Sequence, residues 1–226
     1  MAISGGPDIV EDGLVLHIDA ADKNSYPGTG STWYDLSGNG NNGTIRSGQS
    51  FNSGNAGNFY FNGLNNQYVV IPHDSNLNVG NNITVNIWFY LIDTSIFRCL
   101  ISKLPYDYSL GWELDINAGG RFRVTFRPSA TQINFLGPIL YVNNWYMGTM
   151  TFDNSGVKLY VNGLYGGGTS SGGPVTLNSN ASLRIGGREQ NPNYIGNISY
   201  VSIYDKPLED YQILQNYNAT KGRYGL

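Results

Sequence analysis

Two carboxylates spaced two residues apart carry the clearest chemistry in this sequence. Glu113 and Asp115 alternate in the segment WELDI, and alternate residues of a strand point to the same face. A retaining glycoside hydrolase uses two carboxyl groups, one as nucleophile and one as acid/base. The last carboxylate of such a series would fall at Asn117 or Ala118, and neither donates a catalytic proton. The alternative is a cross-strand charge ladder in which Asp115 faces Arg123 and stabilises the sheet modestly.

Oxygen-bearing side chains also alternate in DLSGNG, from Asp35 to Gly40. This pattern copies the opening of a calcium loop, but Arg46 stands where the terminal bidentate Glu of an EF-hand would be. The alternative is an Asx-turn loop that bonds its own backbone. Two histidines and one cysteine do not make a zinc site. We therefore assign no catalytic residue, no metal ligand and no cofactor, and calcium is kept as an alternative to be tested.

Sugar binding needs exposed aromatic rings that stack on pyranose faces, with amides and cations beside them. Loop residues supply these groups, and we predict them to be ligand-binding: Tyr106, Tyr108, Arg188, Asn191, Asn193 and Tyr194. Tyr-rich loops serve protein–protein contacts equally well, because Tyr gives rigid amphipathic area. Glycan binding and protein binding therefore remain alternatives for this set.

Composition excludes several classes of function. The chain has 226 residues, 13 Lys and Arg, and a net charge of −3, which does not indicate a nucleic-acid surface. No apolar run is long enough to cross a bilayer. Cys99 stands alone, so no disulfide framework is expected. The first residues lack the basic and apolar regions of a secretory signal, and synthesis in a reducing cytoplasm is expected.

The elements that must position these groups are short strands with Gly and Asn turns. An aromatic hairpin over residues 145–163 is central, with Asn162 and Gly163 opening a further type I′ turn. Residues 85–91 alternate with Val85, Ile87 and Phe89 on one face. Further strands are predicted at Leu14–Asp19, 59–61 paired as a hairpin with Tyr68–Ile71, 99–101, 110–117 paired with Arg121–Arg127, Leu183–Ile185 and 198–204.

Two irregular segments complete the expected layout. Residues 166–173 predict a Gly-rich loop, and a C-terminal helix capped by Asp205 is expected to end before Gly222. Strands at this spacing predict an all-β fold, a two-sheet antiparallel jelly-roll sandwich with a short C-terminal helix. We expect an N-terminal arm over residues 1–12 and one sandwich domain over residues 13–226.

Several segments together resemble the concanavalin A-like lectin/glucanase superfamily in its laminin-G-like branch. They are TFDNSGVKLYVNG at residues 151–163, LRIG at 183–186, and GNISYVSIY at 196–204 followed by Pro207 and Leu208. The resemblance covers roughly residues 12–218 and implies the same sandwich. WELDI is also similar to the start of the carboxylate motif of laminarinase-type glycosidases in that superfamily, without its last Glu.

A narrower resemblance is to laminin-G-like virion proteins of tailed phages, especially cyanophages. It is carried by DGLVLHIDAADKNSYPGTGSTWYDLSGNGNNGTI and by the ending LQNYNATKGRYGL. It implies a non-catalytic virion surface protein, as a capsid decoration or a fibre or tail component, made in the host cytoplasm. Implied partners are other virion proteins, further copies of the chain and glycans, without nucleic acid or membrane insertion. A free-standing lectin-like module and a β-glucan hydrolase are the alternatives.

Overall fold

The computed structural model describes residues 7–226 apart from 47, 55, 65, 108–109, 129–131, 154, 170–176, 178 and 189–192. Its strands are β1 Leu14–Asp19, β2 Thr32–Trp33, β3 Gly43–Arg46, β4 Ser50–Asn52, β5 Asn58–Asn62, β6 Tyr68–Ile71, β7 Ile83–Leu91, β8 Arg98–Ser102, β9 Gly111–Ile116, β10 Arg121–Arg127, β11 Ile133–Ile139, β12 Asn144–Asp153, β13 Gly156–Val161, β14 Leu164–Thr169, β15 Leu183–Ile185 and β16 Ile195–Tyr204. One α-helix, α1 Asp210–Thr220, follows β16, and 3₁₀ turns cover Ser75–Leu77 and Lys221–Tyr224.

The strands form two antiparallel sheets that pack face to face. The first sheet has the order β14-β13-β12-β7-β16-β5-β4, and β1 also pairs with β16. The second sheet has the order β11-β10-β9-β8-β15-β6-β3-β2. The predicted all-β sandwich with a short C-terminal helix is therefore confirmed.

The core lies between the sheets and is filled by alternate residues of each strand. Val85, Ile87 and Phe89 of β7 are fully buried there, on the face predicted from their alternation. Trp112 and Leu114 of β9 meet them from the second sheet. Facing apolar side chains that exclude water supply most of the stability of such a sandwich.

A second apolar cluster covers the outer side of the first sheet. Trp88 and Tyr204 lie there under Ile213 of α1, together with Val10 from the N-terminal segment. Trp88 Nε1 donates to Thr220 Oγ1 at 2.8 Å. The described part of the predicted arm, residues 7–12, thus contacts the C-terminal helix. The boundary at residue 13 stays a prediction.

Three local predictions are wrong. β5 and β6 do not form a hairpin: they lie in different sheets, and the chain crosses between the sheets after Asn62. Much of the predicted loop 166–173 is strand β14, entered through the predicted Asn-Gly turn, in which φ is +54° at Asn162 and +78° at Gly163. The helix begins at Asp210, with Glu209 rather than Asp205 before it.

The described residues hold no helix with the length and apolar character needed to cross a bilayer.

Candidate functional site

The side of the second sheet that faces away from the core is polar, and we call it the outer face. Strand alternation places its members there, because their neighbours along each strand point into the core. They are Thr44, Arg46, Tyr68, Val70, Cys99, Ser102, Glu113, Asp115, Arg123, Thr125, Arg127 and Arg184. The predicted carboxylate segment therefore lies near the middle of a broad sheet surface.

Glu113 and Asp115 are buried on this face, with 2% and 0% of their surfaces exposed. Arg123 Nε donates to Asp115 Oδ1 at 2.8 Å, across the register that the sequence predicted. Arg188 Nη1 reaches Glu113 Oε1 at 3.3 Å from the loop after β15. The cross-strand ladder is thus present, and a second arginine from a distant loop extends it.

Burial dominates the electrostatics of the two carboxyl groups. It raises the pKa of Asp115 to about 8, against the opposing charge of Arg123, and the neighbouring Glu113 pushes the same way. Burial also raises the pKa of Glu113, again against the attraction of Arg188. Taking a carboxylate out of water costs more than one nearby cation returns. The arrangement therefore favours the protonated form of Asp115.

The ring of Phe97 contacts both of the arginines that hold the acids. The Cζ atoms of Arg123 and Arg188 are 5.2 Å and 4.5 Å from its ring centroid. Cation–π contacts of this kind fix guanidinium groups in place. The position after β9 offers no acid, because Asn117 Oδ1 accepts the Arg121 backbone N–H at 2.9 Å and closes the turn. The carboxylates are therefore enclosed, and the ladder carries no acid/base partner at that position.

The predicted ligand-binding residues that the structure describes differ in their exposure and surroundings. Tyr106 is 69% exposed, in the loop between β8 and β9. Asn193 is buried, and its Nδ2 donates to the Leu64 carbonyl at 2.7 Å. Arg188 N donates to Asn193 Oδ1 at 3.4 Å, so these two do meet. The expectation that Tyr194 is an exposed loop aromatic is wrong, because its ring is fully buried in the core. Two further members of the predicted set, Tyr108 and Asn191, lie outside the described residues.

Sequence reasoning included Arg123 and Arg188 but missed Arg184, Tyr68 and Phe97 on and over this face. Arg184 Cζ lies 4.6 Å from the Tyr68 ring centroid, on the neighbouring strand β6. The signal was present, since Arg184 stands between Leu183 and Ile185, which both point into the core. Phe97 left no such signal, because it lies in the loop before β8.

The Asp35 loop adopts the geometry of the Asx-turn alternative. Asp35 Oδ1 accepts the backbone N–H groups of His17 and Ser37 at 2.9 Å each, and Oδ2 accepts that of Asn41 at 3.0 Å. These bonds tie the loop to β1. Among the described residues, no group of three or more His, Cys, Asp or Glu side chains is placed to hold a metal ion. The prediction of no cofactor stays a prediction.

Two cavities lie away from the outer face. The larger, of about 520 Å³, opens between residues 7–11, β1 and the segment after α1. Arg223 Nη1 and Asp19 Oδ2, 2.7 Å apart, belong to residues of its wall. The smaller, of about 310 Å³, lies beside Tyr26 and Phe51 near an edge of the first sheet. The predicted ligand residues described above line neither cavity.

The family follows from a comparison of this chain with known proteins. A family model of the concanavalin A-like lectin/glucanases superfamily matches residues 62–214. The chain belongs to this superfamily. The match includes β6 to β16 and therefore both acids of the outer face of this lectin-like sandwich. No curated protein matches the chain in sequence.

Solved structures of lectin-like sandwich domains share the fold. The binding domain of Paraclostridial Mosquitocidal Protein 1 is 17% identical, with a TM-score of 0.75 over 92% of this chain and 52% of that one. Botulinum neurotoxin type C, whose cell entry depends on interaction with two ganglioside molecules, is 15% identical, with a TM-score of 0.75 over 93% and 52%. Domain 4 of AbnA, a GH43 extracellular arabinanase from Geobacillus stearothermophilus, in complex with arabinotriose, is 19% identical, with a TM-score of 0.69 over 92% and 100%.

These likenesses establish the fold and not the activity. The chain spans about half the length of the two toxin chains, and every identity is below one fifth. The mosquitocidal-protein structure is a binding domain, and the arabinanase domain carries bound arabinotriose. What those proteins bind is a property of those proteins.

Proposed function

We propose that this chain is a non-catalytic carbohydrate-binding module. The observation that carries the proposal is the state of Glu113 and Asp115, which are buried and held by Arg188 and Arg123. A glycosidase needs one carboxylate free to attack and another placed to protonate the leaving group. Here Arg188 contacts Glu113, the first acid of the segment, and Arg123 contacts Asp115, so neither carboxyl group is free for those roles.

The outer face offers the groups that bind sugars without cutting them. Aromatic rings lie beside hydrogen-bond donors, as Tyr68 does beside Arg184 and Phe97 beside Arg123. The sugar-bound arabinanase domain, which has the same fold over its whole length, supports carbohydrate as the ligand class. Protein is the competing class of ligand, because another structural relative, a botulinum neurotoxin binding domain, is in complex with rat synaptotagmin II.

A glycan array followed by titration calorimetry tests the proposal. We expect saturable binding to at least one glycan, unchanged by calcium or a chelator. An assay for new reducing ends on laminarin should show none above the Glu113→Gln variant. Binding to no glycan, or reducing ends that disappear with Glu113→Gln, would refute the module or its lack of activity, respectively.

We propose the surface of a tailed-phage virion as the setting of this module, on the resemblance of two segments to virion proteins. The two segments that carry the phage resemblance meet in the fold, where Arg223 near the C-terminus pairs with Asp19 of β1. Tyr224 stacks on Trp88, with ring centroids 3.9 Å apart, and fixes the same end segment. Mass spectrometry of purified particles should detect the chain. Its absence from intact particles, with presence in the lysate, would remove the virion setting and leave the binding module intact.

A further inference from the structure

We propose that the outer face binds an acidic polysaccharide, a linear glycan carrying repeated carboxylate or sulfate groups. This inference rests on the proposed carbohydrate-binding function and names the ligand class of the same face. It is carried by the segregation of charge, by the anchoring of the arginines and by their spread across the sheet.

Charge is unevenly divided over the molecule. Among the described residues, five arginines lie on or over the outer face, and the acids on its strands are the buried Glu113 and Asp115; the arginines are Arg46, Arg123, Arg127, Arg184 and Arg188. The whole chain has the opposite balance, with 13 basic and 16 acidic residues. The outer face is therefore a cationic surface on an acidic protein, and such a surface attracts anions.

The arginines are held in place before any ligand arrives. Arg123 and Arg188 are fixed by the buried acids and by Phe97, and Arg184 lies over Tyr68. Arg127 Nη2 donates to Gln132 Oε1 at 2.6 Å. A side chain already fixed loses less entropy on binding. The guanidinium fork also matches the geometry of carboxylate and sulfate oxygens better than an ammonium does.

The charges are spread along a line and do not converge on one point. Five strand-to-strand steps separate β3, which holds Arg46, from β10, which holds Arg123 and Arg127. At the usual strand spacing these arginines span about 24 Å. A single small anion would contact one end only, whereas a polymer with repeated anionic groups meets several arginines. Half-buried Tyr68 offers an aromatic edge between them.

Charge density separates this ligand from nucleic acid. Duplex DNA carries one negative charge per about 1.7 Å of its axis and is met by dense clusters of Lys and Arg. Here the two acids lie among the arginines. Lys103, which follows β8, donates from its Nζ to the Ala181 carbonyl at 3.0 Å. The sparse, mixed array fits the wider charge spacing of an acidic glycan.

Matched pairs of polymers test the inference. Polygalacturonate is compared with its methyl ester, and dextran sulfate with dextran, by calorimetry at low and high salt. We expect the charged member of at least one pair to bind more tightly by at least about tenfold, with the difference shrinking in high salt. Binding only to polygalacturonate assigns carboxylate, and binding only to dextran sulfate assigns sulfate.

Charge-matched variants locate the site. The double variant Arg46→Gln/Arg184→Gln should weaken binding about tenfold, from the loss of two partly exposed charge contacts. The control Lys158→Gln/Lys221→Gln removes the same charge from the first sheet and the C-terminal end, and should change affinity less than about twofold. A melting curve for each variant checks folding.

Three results would overturn the inference. If the neutral and the charged polymer of each pair bound with equal affinity, the proposed carbohydrate binding would stand and the inference of an acidic ligand would be wrong. Equal loss in the outer-face and control variants would show attraction by net charge alone. Equal binding to a DNA duplex or to polyglutamate would show a generic anion surface. Failure to bind any glycan would instead refute the proposed function itself.

Discussion

Replacing Asp115 by asparagine separates a protonated carboxyl group from an ionised one. Burial raises the pKa of Asp115 to about 8 although Arg123 lies 2.8 Å away. Because this folded-state pKa lies above the ordinary value of 3.8, the folded protein holds the proton more tightly than the unfolded chain does. The resulting stabilisation is complete below about pH 4 and is lost as the pH rises through about 8.

The size of the effect follows from linkage. One proton held only by the folded state changes the free energy of unfolding by about 1.4 kcal/mol per pH unit. Between about pH 5 and about pH 7 the wild-type protein should therefore lose about 2 to 3 kcal/mol through Asp115. The Asp115→Asn variant has no such proton and should lack this slope. At about pH 5 the amide copies the neutral acid and should cost less than about 1 kcal/mol.

Urea unfolding at three pH values in this interval measures the slope. Glu113, whose pKa burial also raises, adds a slope of the same sign to both proteins, so their difference isolates Asp115. The exposed change Asp12→Asn is the control for the chemistry of the substitution. If Asp115→Asn destabilises by about 3 to 5 kcal/mol equally at every pH, Asp115 is an ionised partner of Arg123 and our reasoning is refuted.

Three further substitutions test separate parts of the fold by denaturant unfolding. Gly168→Ala should lower the free energy of unfolding by more than about 2 kcal/mol, because φ is +146° there and the new Cβ would lie 2.1 Å from the Val157 carbonyl oxygen. An unchanged free energy of unfolding would mean that β14 does not pack this closely. Trp88→Phe should lower the free energy of unfolding by about 2 kcal/mol, because it removes the hydrogen bond to Thr220 Oγ1 and part of the buried indole volume. A change near zero would contradict the packing of α1 on the first sheet. Burial lowers the pKa of Lys103 to about 8, whereas the unfolded chain keeps this proton up to about 10.5, so the free energy of unfolding of the wild type should rise between these pH values. The variant Lys103→Met should lack that rise. An equal rise in both proteins would exclude Lys103 as its source.

The fold was predictable because alternation and turn chemistry are local. Apolar residues at a spacing of two predict a buried strand face, as at Val85, Ile87 and Phe89, and the structure places these three in the core. The Arg121–Arg127 strand follows a short Gly-rich turn, which fixes the Asp115–Arg123 register without knowledge of any other strand. Such signals name a strand and its core face.

The failures arose where partner choice depends on distant segments. Asn62 and the glycine after it suit a hairpin turn, yet β5 finds its partner in β16, more than a hundred residues later. Tyr194 sits in a polar Gly/Asn/Pro stretch, and nothing local reveals that its hydroxyl donates to the Tyr90 carbonyl at 2.7 Å inside the sandwich. Neither the pairing nor the ring orientation is encoded within a short window.

The carboxylate segment shows the same limit at the candidate site. The alternation of the segment correctly predicted that Glu113 and Asp115 point away from the core, and a residue that points away from the core is usually exposed to solvent. Both are nevertheless buried: Arg188 reaches Glu113 from a loop that the strand pattern does not place, and Phe97, on another such loop, contacts both arginines. Burial raises the pKa of Asp115 and so favours its neutral form, which subtracts no charge from the face above it. The arginines that enclose the acids then keep more of their positive charge for an incoming ligand, so the pH dependence of Asp115 and the choice of an anionic partner are linked consequences of one buried cluster.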